Sequence, residues 1–469
     1  MIRDMMSSLG AEVSESTSGH HGIYLVSLGC SKNLVDSEAM STILREEGYD
    51  IVSEPTCADV IIINTCGFIE SAKKEAIDKI LEMADRKHDF LIVTGCLAQR
   101  YAAEIAESLP EVDAILGTDE YAGIALAIKD LYAAESSKNY LQDVECGPLI
   151  RIGNENAMKH LKVSRTPSTK GYAYIKIAEG CSNNCAYCAI PGIRGRFISR
   201  PLEDLVREAK YLASKGFYEI ILIAQDTTRY GQDLYGERKL TELIRSISLV
   251  DGIRKIRLLY CYADGITQEL IETMACEPKV AKYIDVPVQH ISDNILKSMR
   301  RKDTSSSIEK CIRDLRDKVP GITIRTTVMV GFPGETDEDY DKLYDFVLRT
   351  RFDLLGCFIF SPEEGTAAYD MRNKVPAKVA KKRYNKLMEL QRRISSENNK
   401  SRIGRVFKVT IDSPALDGVF YSGRGDAQAP EIDPPIYVAA SDEELEPGSE
   451  YLVRIVDHND YEMTGVTCK

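Results

Sequence analysis

Three cysteines within eight residues constrain this chain more than any other feature. They lie in the run Gly180-Cys181-Ser182-Asn183-Asn184-Cys185-Ala186-Tyr187-Cys188-Ala189-Ile190-Pro191, directly after the strand-like segment 172–178. Thiolates at such spacing let one loop wrap a compact, soft metal centre, and cubane iron–sulfur clusters are held by cysteine thiolates. Three ligands leave one iron of a four-iron cluster without a protein ligand, and an open metal position is where a substrate or cofactor binds. The plainer alternative is a structural zinc ion. Zinc wants a fourth ligand in a two-plus-two arrangement, and the loop offers none.

Three further apolar runs, 23–30, 60–66 and 90–96, each end in a cysteine: Cys30, Cys66 and Cys96. Helical patterns at 37–47 and 70–86 fill the intervals. That alternation predicts parallel strands joined by helices, with every cysteine at a carboxyl end on one edge of the sheet, where ligands bind. Convergence of three such ends favours a second cluster site over coincidental packing. Asn33 and Asn64, beside these cysteines, read as caps of helices or turns.

Helical segments follow at 101–108 and 124–134. Residues 136–170 are polar and punctuated by Gly147, Pro148, Gly153 and Pro167, as an interdomain linker would be, with Lys159, Lys162, Arg165 and Lys170 solvated. Six strand-like runs then alternate with helices: 172–178, 219–224, 255–260, 283–288, 323–330 and 354–359. They predict a partial parallel barrel with its chemistry at the carboxyl-terminal face. Gln225, Asp226, Tyr260, Tyr262, Gln289, His290 and Ser361 stand at those strand ends. His290 reads either as a satisfied core histidine or as part of the pocket lining. Gly331 and Gly334 permit a turn that brings backbone close to a ligand. Arg194 and Arg196, just past the cysteine loop, either neutralise a cofactor or substrate carboxylate or are solvated. From Pro376 the stripe Ala380, Tyr384, Leu387, Met388, Gln391 and Ile394 predicts a helix packed on the barrel, its basic face turned to solvent or to RNA. Short strands at 406–412, 418–422, 436–439 and 451–456 predict a small terminal β-barrel.

Net charge bears on partners. The chain carries 72 acidic against 60 basic residues, a net charge of −12, which argues against a protein whose main task is clamping phosphates. From Ser401 onward there are six lysines and arginines against thirteen aspartates and glutamates. The first twenty-two residues lack an apolar core of signal-peptide length, so export and membrane anchoring are not expected, and the cytoplasm is. In that compartment the thirteen cysteines are not expected to form disulfides. Cys57, Cys146, Cys261, Cys276, Cys311, Cys357 and Cys468 lack ligand spacing and read as buried small apolar residues.

The spacing of Cys181, Cys185 and Cys188, with aromatic Tyr187 before the last, resembles the radical S-adenosylmethionine (SAM) superfamily. The resemblance implies that these three cysteines hold a [4Fe-4S] cluster whose open iron is chelated by SAM, and that cleavage of SAM yields a 5′-deoxyadenosyl radical. It further implies that Tyr187 packs near the adenine and that the region of Gly331 and Gly334 supports the nucleoside. Leu28-Gly29-Cys30-Ser31-Lys32-Asn33, Asn64-Thr65-Cys66 and Gly95-Cys96 resemble the amino-terminal domain of methylthiotransferases. That likeness implies a second, auxiliary [4Fe-4S] cluster on Cys30, Cys66 and Cys96. The segment 423–433 is similar to the TRAM domain that ends these enzymes.

Within the family, segments 189–195, 224–231 and 361–366 are similar to the RimO branch, which methylthiolates an aspartate of ribosomal protein S-twelve. An acidic terminal barrel, through Asp426, Glu431, Asp433, Asp442, Glu443 and Glu444, would attract such a basic protein and repel RNA. The alternatives are the MiaB branch, acting on modified adenosine in transfer RNA, a third branch acting on threonylcarbamoyl adenosine, and a non-catalytic iron–sulfur scaffold or redox sensor. The resemblance also implies an electron donor of flavodoxin or ferredoxin type and leaves the sulfur source open. The expected α/β architecture is a mobile tail (1–21), a parallel-sheet domain (22–140), a linker (141–170), a partial (βα) barrel (171–400) and a small β-barrel (401–469). Arg194, Arg196, Gln225 and His290 are the substrate-side candidates.

Overall fold

Strands with both faces apolar belong in the middle of a layered parallel sheet, and Val60–Thr65 and Phe90–Gly95 are buried along their whole length. The computed structural model describes residues 21–138, 147–153, 165–416, 418–440 and 444–468. The expected tail apart from His21, and Cys146, Lys159, Lys162, Asp442 and Glu443, lie outside the described residues. Six strands pair in the order β2-β1-β3-β4-β5-β6, all parallel: β1 (Gly22–Ser27), β2 (Asp50–Ile51), β3 (Val60–Thr65), β4 (Phe90–Gly95), β5 (Ala114–Leu116) and β6 (Leu149–Arg151). Helices α1 (Ser31–Glu46) and α2 (Glu70–Ala84) cover opposite faces.

Two local expectations change. Helix α1 begins at Ser31 rather than at 37, because its first turns bury polar side chains (Lys32, Asn33, Asp36, Glu38) and so show no apolar periodicity. The segment read as linker supplies strand β6, and Arg165 is buried rather than solvated: it pairs with Glu38 and Glu208 and donates to the Tyr174 carbonyl.

The central sheet is also wholly parallel, in the order β14-β13-β12-β11-β10-β7. Its strands are β7 (Tyr172–Lys176), β10 (Glu219–Ile223), β11 (Lys255–Leu258), β12 (Val280–Asp285), β13 (Thr323–Val330) and β14 (Leu354–Ile359). A short antiparallel pair, β8 (Ala178–Glu179) and β9 (Ile198–Ser199), clips together the two ends of the cysteine loop. One face of this sheet packs on helices through Ile175, Ile220 and Leu258. The other presents Tyr174, Ile221 and Tyr283 to Val35 of α1 and to Ala429 of the terminal domain. The helix Ala377–Lys400 lies on the sheet through Ala380, Leu387 and Ile394, as its stripe predicts, and Lys381, Lys382 and Lys386 are exposed.

The terminal domain is a closed five-stranded barrel of β15 (Val406–Pro414), β16 (Tyr421–Arg424), β17 (Ile436–Ala439), β18 (Glu450–His458) and β19 (Met463–Thr467). Strand β19 lies beyond the four the pattern predicts. Three acidic residues expected to face a basic partner are instead spent on the central sheet. Glu431 accepts from the Tyr172 and Tyr174 hydroxyls at 2.9 and 3.3 Å. Asp433 accepts from Tyr283 at 2.8 Å and pairs with Arg325 at 3.4 Å, and Asp426 pairs with Lys255 at 3.1 Å. Glu219 draws the two domains together from the other side. Burial raises its pKa, but Arg424 and Arg257 outweigh burial and hold it at about 2. No helix among the described residues is long and apolar enough to cross a membrane.

Candidate active site

Cys30, Cys66 and Cys96 follow β1, β3 and β4, which are neighbours in the sheet, so the three thiols meet at one edge. Two glycines make the meeting possible. Gly29 (φ +92°) and Gly95 (φ +94°) adopt a backbone that favours glycine. A Cβ on Gly29 would lie 2.7 Å from the Cys66 Cβ, and one on Gly95 would lie 2.3 Å from the Asn64 amide oxygen. Asn33 and Asn64 are not caps. Asn33 donates to the carbonyls of Leu28 and Thr65, both at 2.9 Å, and Asn64 donates to the Asn33 carbonyl and the Ser37 hydroxyl, both at 2.9 Å. Together they lace the strand ends to α1.

Cys30 occupies the cap position of α1. Its burial raises the thiol pKa, but Lys32, Arg194 and the backbone N–H groups of Asn33 and Lys32 outweigh burial, and the net shift is downward. Burial pushes Cys66 up to about 12 and raises Cys96 as well. Binding metal at these thiols therefore requires releasing protons.

The central cysteines are held by one loop tied down along its length. The Cys181 N–H donates to the Gly195 carbonyl (3.1 Å), the Ala186 N–H to Met299 (2.9 Å) and the Phe197 N–H to the Ser182 hydroxyl (3.1 Å). Asn183 donates to Asp226 at 2.8 Å and accepts from Arg229 at 2.9 Å. The Tyr262 hydroxyl lies 3.9 Å from the Cys185 sulfur, and Arg301, paired with Asp303, covers the Tyr262 ring at 4.3 Å. Tyr187 packs against Ala186, Ile295, Met299 and Phe332. Burial pushes Cys181 to about 11 and Cys188 to about 12. Cys185 and Cys188 open on a cleft of 480 Å³ that also takes in Arg100, Tyr101, Arg300 and Glu364, so it is walled by both the amino-terminal and the central domain.

A single zinc ion fixes the spacing of its sulfur ligands. Tetrahedral Zn–S bonds of about 2.3 Å would place the thiolates roughly 3.8 Å apart. Among the described residues, no three cysteine sulfurs lie within 4.8 Å of one another; the grouping that does meet that spacing is His21, Asp59 and Asp89 at the opposite edge of the first sheet. Among the described residues, neither cysteine set is gathered at single-zinc spacing. All described cysteines are free thiols, and among the scattered ones Cys261, Cys311 and Cys357 are buried as expected. Cys57 and Cys276 are exposed, each at the last position of a short helix.

Arg194 is neither solvated nor free to meet a ligand carboxylate. Its guanidinium donates to Asn33 at 2.6 Å and to Asp36 and Glu179, each at 3.0 Å. Lys176 pairs with the same two carboxylates. Two buried cations and two buried anions from α1, β7, β8 and the helix Ile190–Arg194 thus join the amino-terminal domain to the cysteine loop. His290 is wholly buried behind the turn that follows β13. Its Nδ1 accepts from the Ser292 N–H at 3.0 Å, its Nε2 lies 3.9 Å from Glu335, and burial lowers its pKa to about 4, so it sits neutral. Glu335 in turn accepts from the Gly331 N–H at 2.7 Å, and the Gly334 N–H donates to the Asn373 carbonyl at 2.9 Å. Gln225 is half-buried and Arg196 exposed. Lys32, Asp36, Lys176 and Glu179 are the residues that sequence reasoning passed over. Their signal is faint: a first helical turn rich in charge where a surface helix would alternate.

Known proteins share each part of this arrangement. Residues 22–117 match the uncharacterized protein family UPF0004, residues 175–347 the radical SAM superfamily and residues 403–468 the TRAM domain. The fold resembles the radical SAM methyltransferase TsrM of Kitasatospora setae with tryptophan substrate and a SAM analog bound (TM-score 0.51, 15% identity, 72% of each chain). It also resembles the cobalamin-dependent SAM radical enzyme OxsB (TM-score 0.50, 14% identity, 80% of this chain and 56% of that one). At such identities the likeness is one of fold alone. Fold and domain matches define a radical SAM enzyme that carries a TRAM domain.

Two relatives named ribosomal protein uS12 methylthiotransferase RimO narrow the class. That of Acetivibrio thermocellus is 47% identical over 94% of this chain and 97% of its own, and that of Clostridium tetani is 46% identical over 95% and 97%. The chain belongs to the RimO family of methylthiotransferases. It is a transferase of the radical SAM type, and membership implies a [4Fe-4S] cluster and SAM.

Proposed function

We propose that this chain inserts a methylthio group at the β-carbon of an aspartate of small-subunit ribosomal protein S-twelve, with one cluster on Cys181, Cys185 and Cys188 and an auxiliary one on Cys30, Cys66 and Cys96. The observation that carries this reading is the pair of three-thiol sites joined through Arg194, which stands six residues beyond Cys188 and donates to the Asn33 amide oxygen, the same atom that accepts from the Cys96 thiol at 3.8 Å. When bound, the clusters and SAM would supply the radical and the sulfur chemistry that breaking an unactivated C–H bond demands and that no side chain provides.

The chain's own part is to orient and to exclude water. Tyr262, under the Arg301 guanidinium, closes one side of the loop at Cys185. Tyr187, Gly331 and Gly334 are assigned to the nucleoside, with neutral His290 and Glu335 bracing their turn from behind. Arg196 and Gln225 remain available to substrate, whereas Arg194 and His290 serve structure. The domain limits are 22–140, 171–400 and 401–469, with 141–170 passing between the first two and contributing β6. An electron donor of flavodoxin or ferredoxin type completes the reaction.

Mass spectrometry after incubating reconstituted protein with both ribosomal protein S-twelve and transfer RNA tests the reading. The expected outcome is one methylthio group gained on the protein and none on the RNA. The reverse result would move the chain to the MiaB-type reaction.

A further inference from the structure

Buried cations in this fold come with carboxylates. Among the described residues, each buried arginine and lysine other than Lys32 has a carboxylate oxygen within 3.0 Å. Lys32 is 4% exposed and has no carboxylate of the described residues within 4.0 Å. Its ammonium instead lies over the Tyr260 ring, 3.1 Å from the centroid, and is not among the polar atoms sealed away without a partner. The anionic group beside it is the Cys30 thiol, whose pKa it lowers, and among the described residues its Nζ donates to no acceptor, so the N–H donors of a cation set against a cysteine site are open to a ligand.

The surroundings say where that ligand would sit. Tyr260, at the carboxyl end of β11, has φ +59°, a left-handed backbone that a tyrosine rarely adopts and that clusters at functional sites. Its N–H is fixed by the Asp285 carboxylate at 3.0 Å, and its hydroxyl is 3.5 Å from the Ser31 hydroxyl. Two residues on, the Tyr262 hydroxyl touches the Cys185 sulfur at 3.9 Å. Two residues of extended chain span at most about 7 Å. Lys32 thus acts on Cys30 and rests on Tyr260, in the same strand-end segment that sets Tyr262 against Cys185 of the radical loop.

We propose that Lys32 receives the carboxylate of the substrate aspartate, so that the adjacent methylene is held between the two cysteine sites; this rests on the reading that an aspartate is methylthiolated. A cation matches a carboxylate better than the uncharged amide of asparagine, because a hydrogen bond with both partners ionised is about twice as strong as a neutral one. Lys32 is thus a substrate-binding and specificity-determining residue, and the strained Tyr260 holds its ammonium in place.

The test uses the reconstituted holoenzyme with SAM and two fluorescent peptides of ribosomal protein S-twelve, one with the target aspartate and one with asparagine in its place. Wild type is expected to bind the aspartate peptide about tenfold or more tightly than the asparagine one. K32M should bring the two affinities within about twofold by weakening the aspartate peptide alone, and K32R should restore part of the preference. The ratio of 5′-deoxyadenosine to methylthiolated product should rise in K32M. K32Q, of similar length, replaces K32M if the latter fails to load iron. A variant that loses both peptides equally, or keeps the preference while the electron paramagnetic resonance spectrum of the amino-terminal cluster changes, would assign Lys32 to structure or to the cluster and overturn the proposal. Wild type that ignores both peptides would instead overturn the aspartate reading itself, and the proposal with it.

Discussion

One cysteine triplet belongs to a loop and the other to a whole domain. Cys181, Cys185 and Cys188 are separated by four and three residues, whereas Cys30, Cys66 and Cys96 are separated by 36 and 30, and closing the longer intervals on an unfolded chain costs about 4 kcal/mol more. The amino-terminal sheet meets that cost in advance. Strands β1, β3 and β4 are adjacent, neighbouring strands lie about 4.8 Å apart, and their carboxyl ends therefore hold three thiols together whether or not metal is bound. The placement of the central thiols depends on local turns such as the Asn183–Asp226 bond; that of the amino-terminal thiols depends on the packing of an entire parallel sheet.

The largest expected effect comes from deleting either set. Replacing Cys181, Cys185 and Cys188 with alanine should abolish 5′-deoxyadenosine formation and roughly halve the iron, while the amino-terminal cluster persists. Replacing Cys30, Cys66 and Cys96 should leave slow 5′-deoxyadenosine formation without methylthiolated product. Iron analysis and chromatography of the nucleoside decide both. SAM cleavage by the first variant, or product from the second, would erase the division of labour.

The same contrast explains what was legible in the sequence. The central triplet announces itself because its ligands are neighbours in the chain, and the three apolar runs ending in cysteine could be aligned because parallel strands repeat one pattern. Whatever depends on a partner domain was illegible. Arg194 reads either as a partner for a cofactor or substrate carboxylate or as a solvated residue, because the carboxylates that bury it, Asp36 and Glu179, come from different elements, one of them across the domain junction. Glu431 and Asp433 read as charge facing a basic partner because their tyrosine partners lie more than 100 residues earlier. Lys32 is hidden differently: its lack of a carboxylate stands out only beside the pairs that the other described buried cations make.

Arg194 is where the two triplets cease to be separate, and Arg194→Met carries the next largest effect. Removing it takes one of the two cations that pair with Asp36 and Glu179, and breaking a buried pair costs about 3–5 kcal/mol. The expected result is a lower melting temperature and poorer iron retention at the amino-terminal site, with partial loss of SAM cleavage because the helix following Cys188 loses its anchor. Arg194→Lys should recover only part of this, since a lysine cannot reproduce the guanidinium fork that reaches Asn33, Asp36 and Glu179 together. Unchanged melting in both variants would show that the ion network does not join the domains.

The smallest effect gives the sharpest comparison, because one hydrogen bond can be removed at each site. Thr65, the residue before Cys66, donates from its hydroxyl to the Thr94 carbonyl at 2.6 Å in a fully buried bond between β3 and β4. Thr65→Val keeps the shape and removes the donor, a loss of about 1 kcal/mol that falls on the distance between the Cys66 and Cys96 strand ends. Ser182 is exposed, so in Ser182→Ala water can take over the Phe197 N–H that its hydroxyl now holds at 3.1 Å. Each substitution is best made in protein that retains only the corresponding cluster, with iron release followed against urea. Thr65→Val should shift release to lower urea in step with unfolding of the sheet, and Ser182→Ala should leave the curve nearly in place. Equal shifts would mean that the central loop leans on its domain as heavily as the strand ends do, and the contrast between a site made by a loop and a site made by a sheet would fail at the level of single bonds.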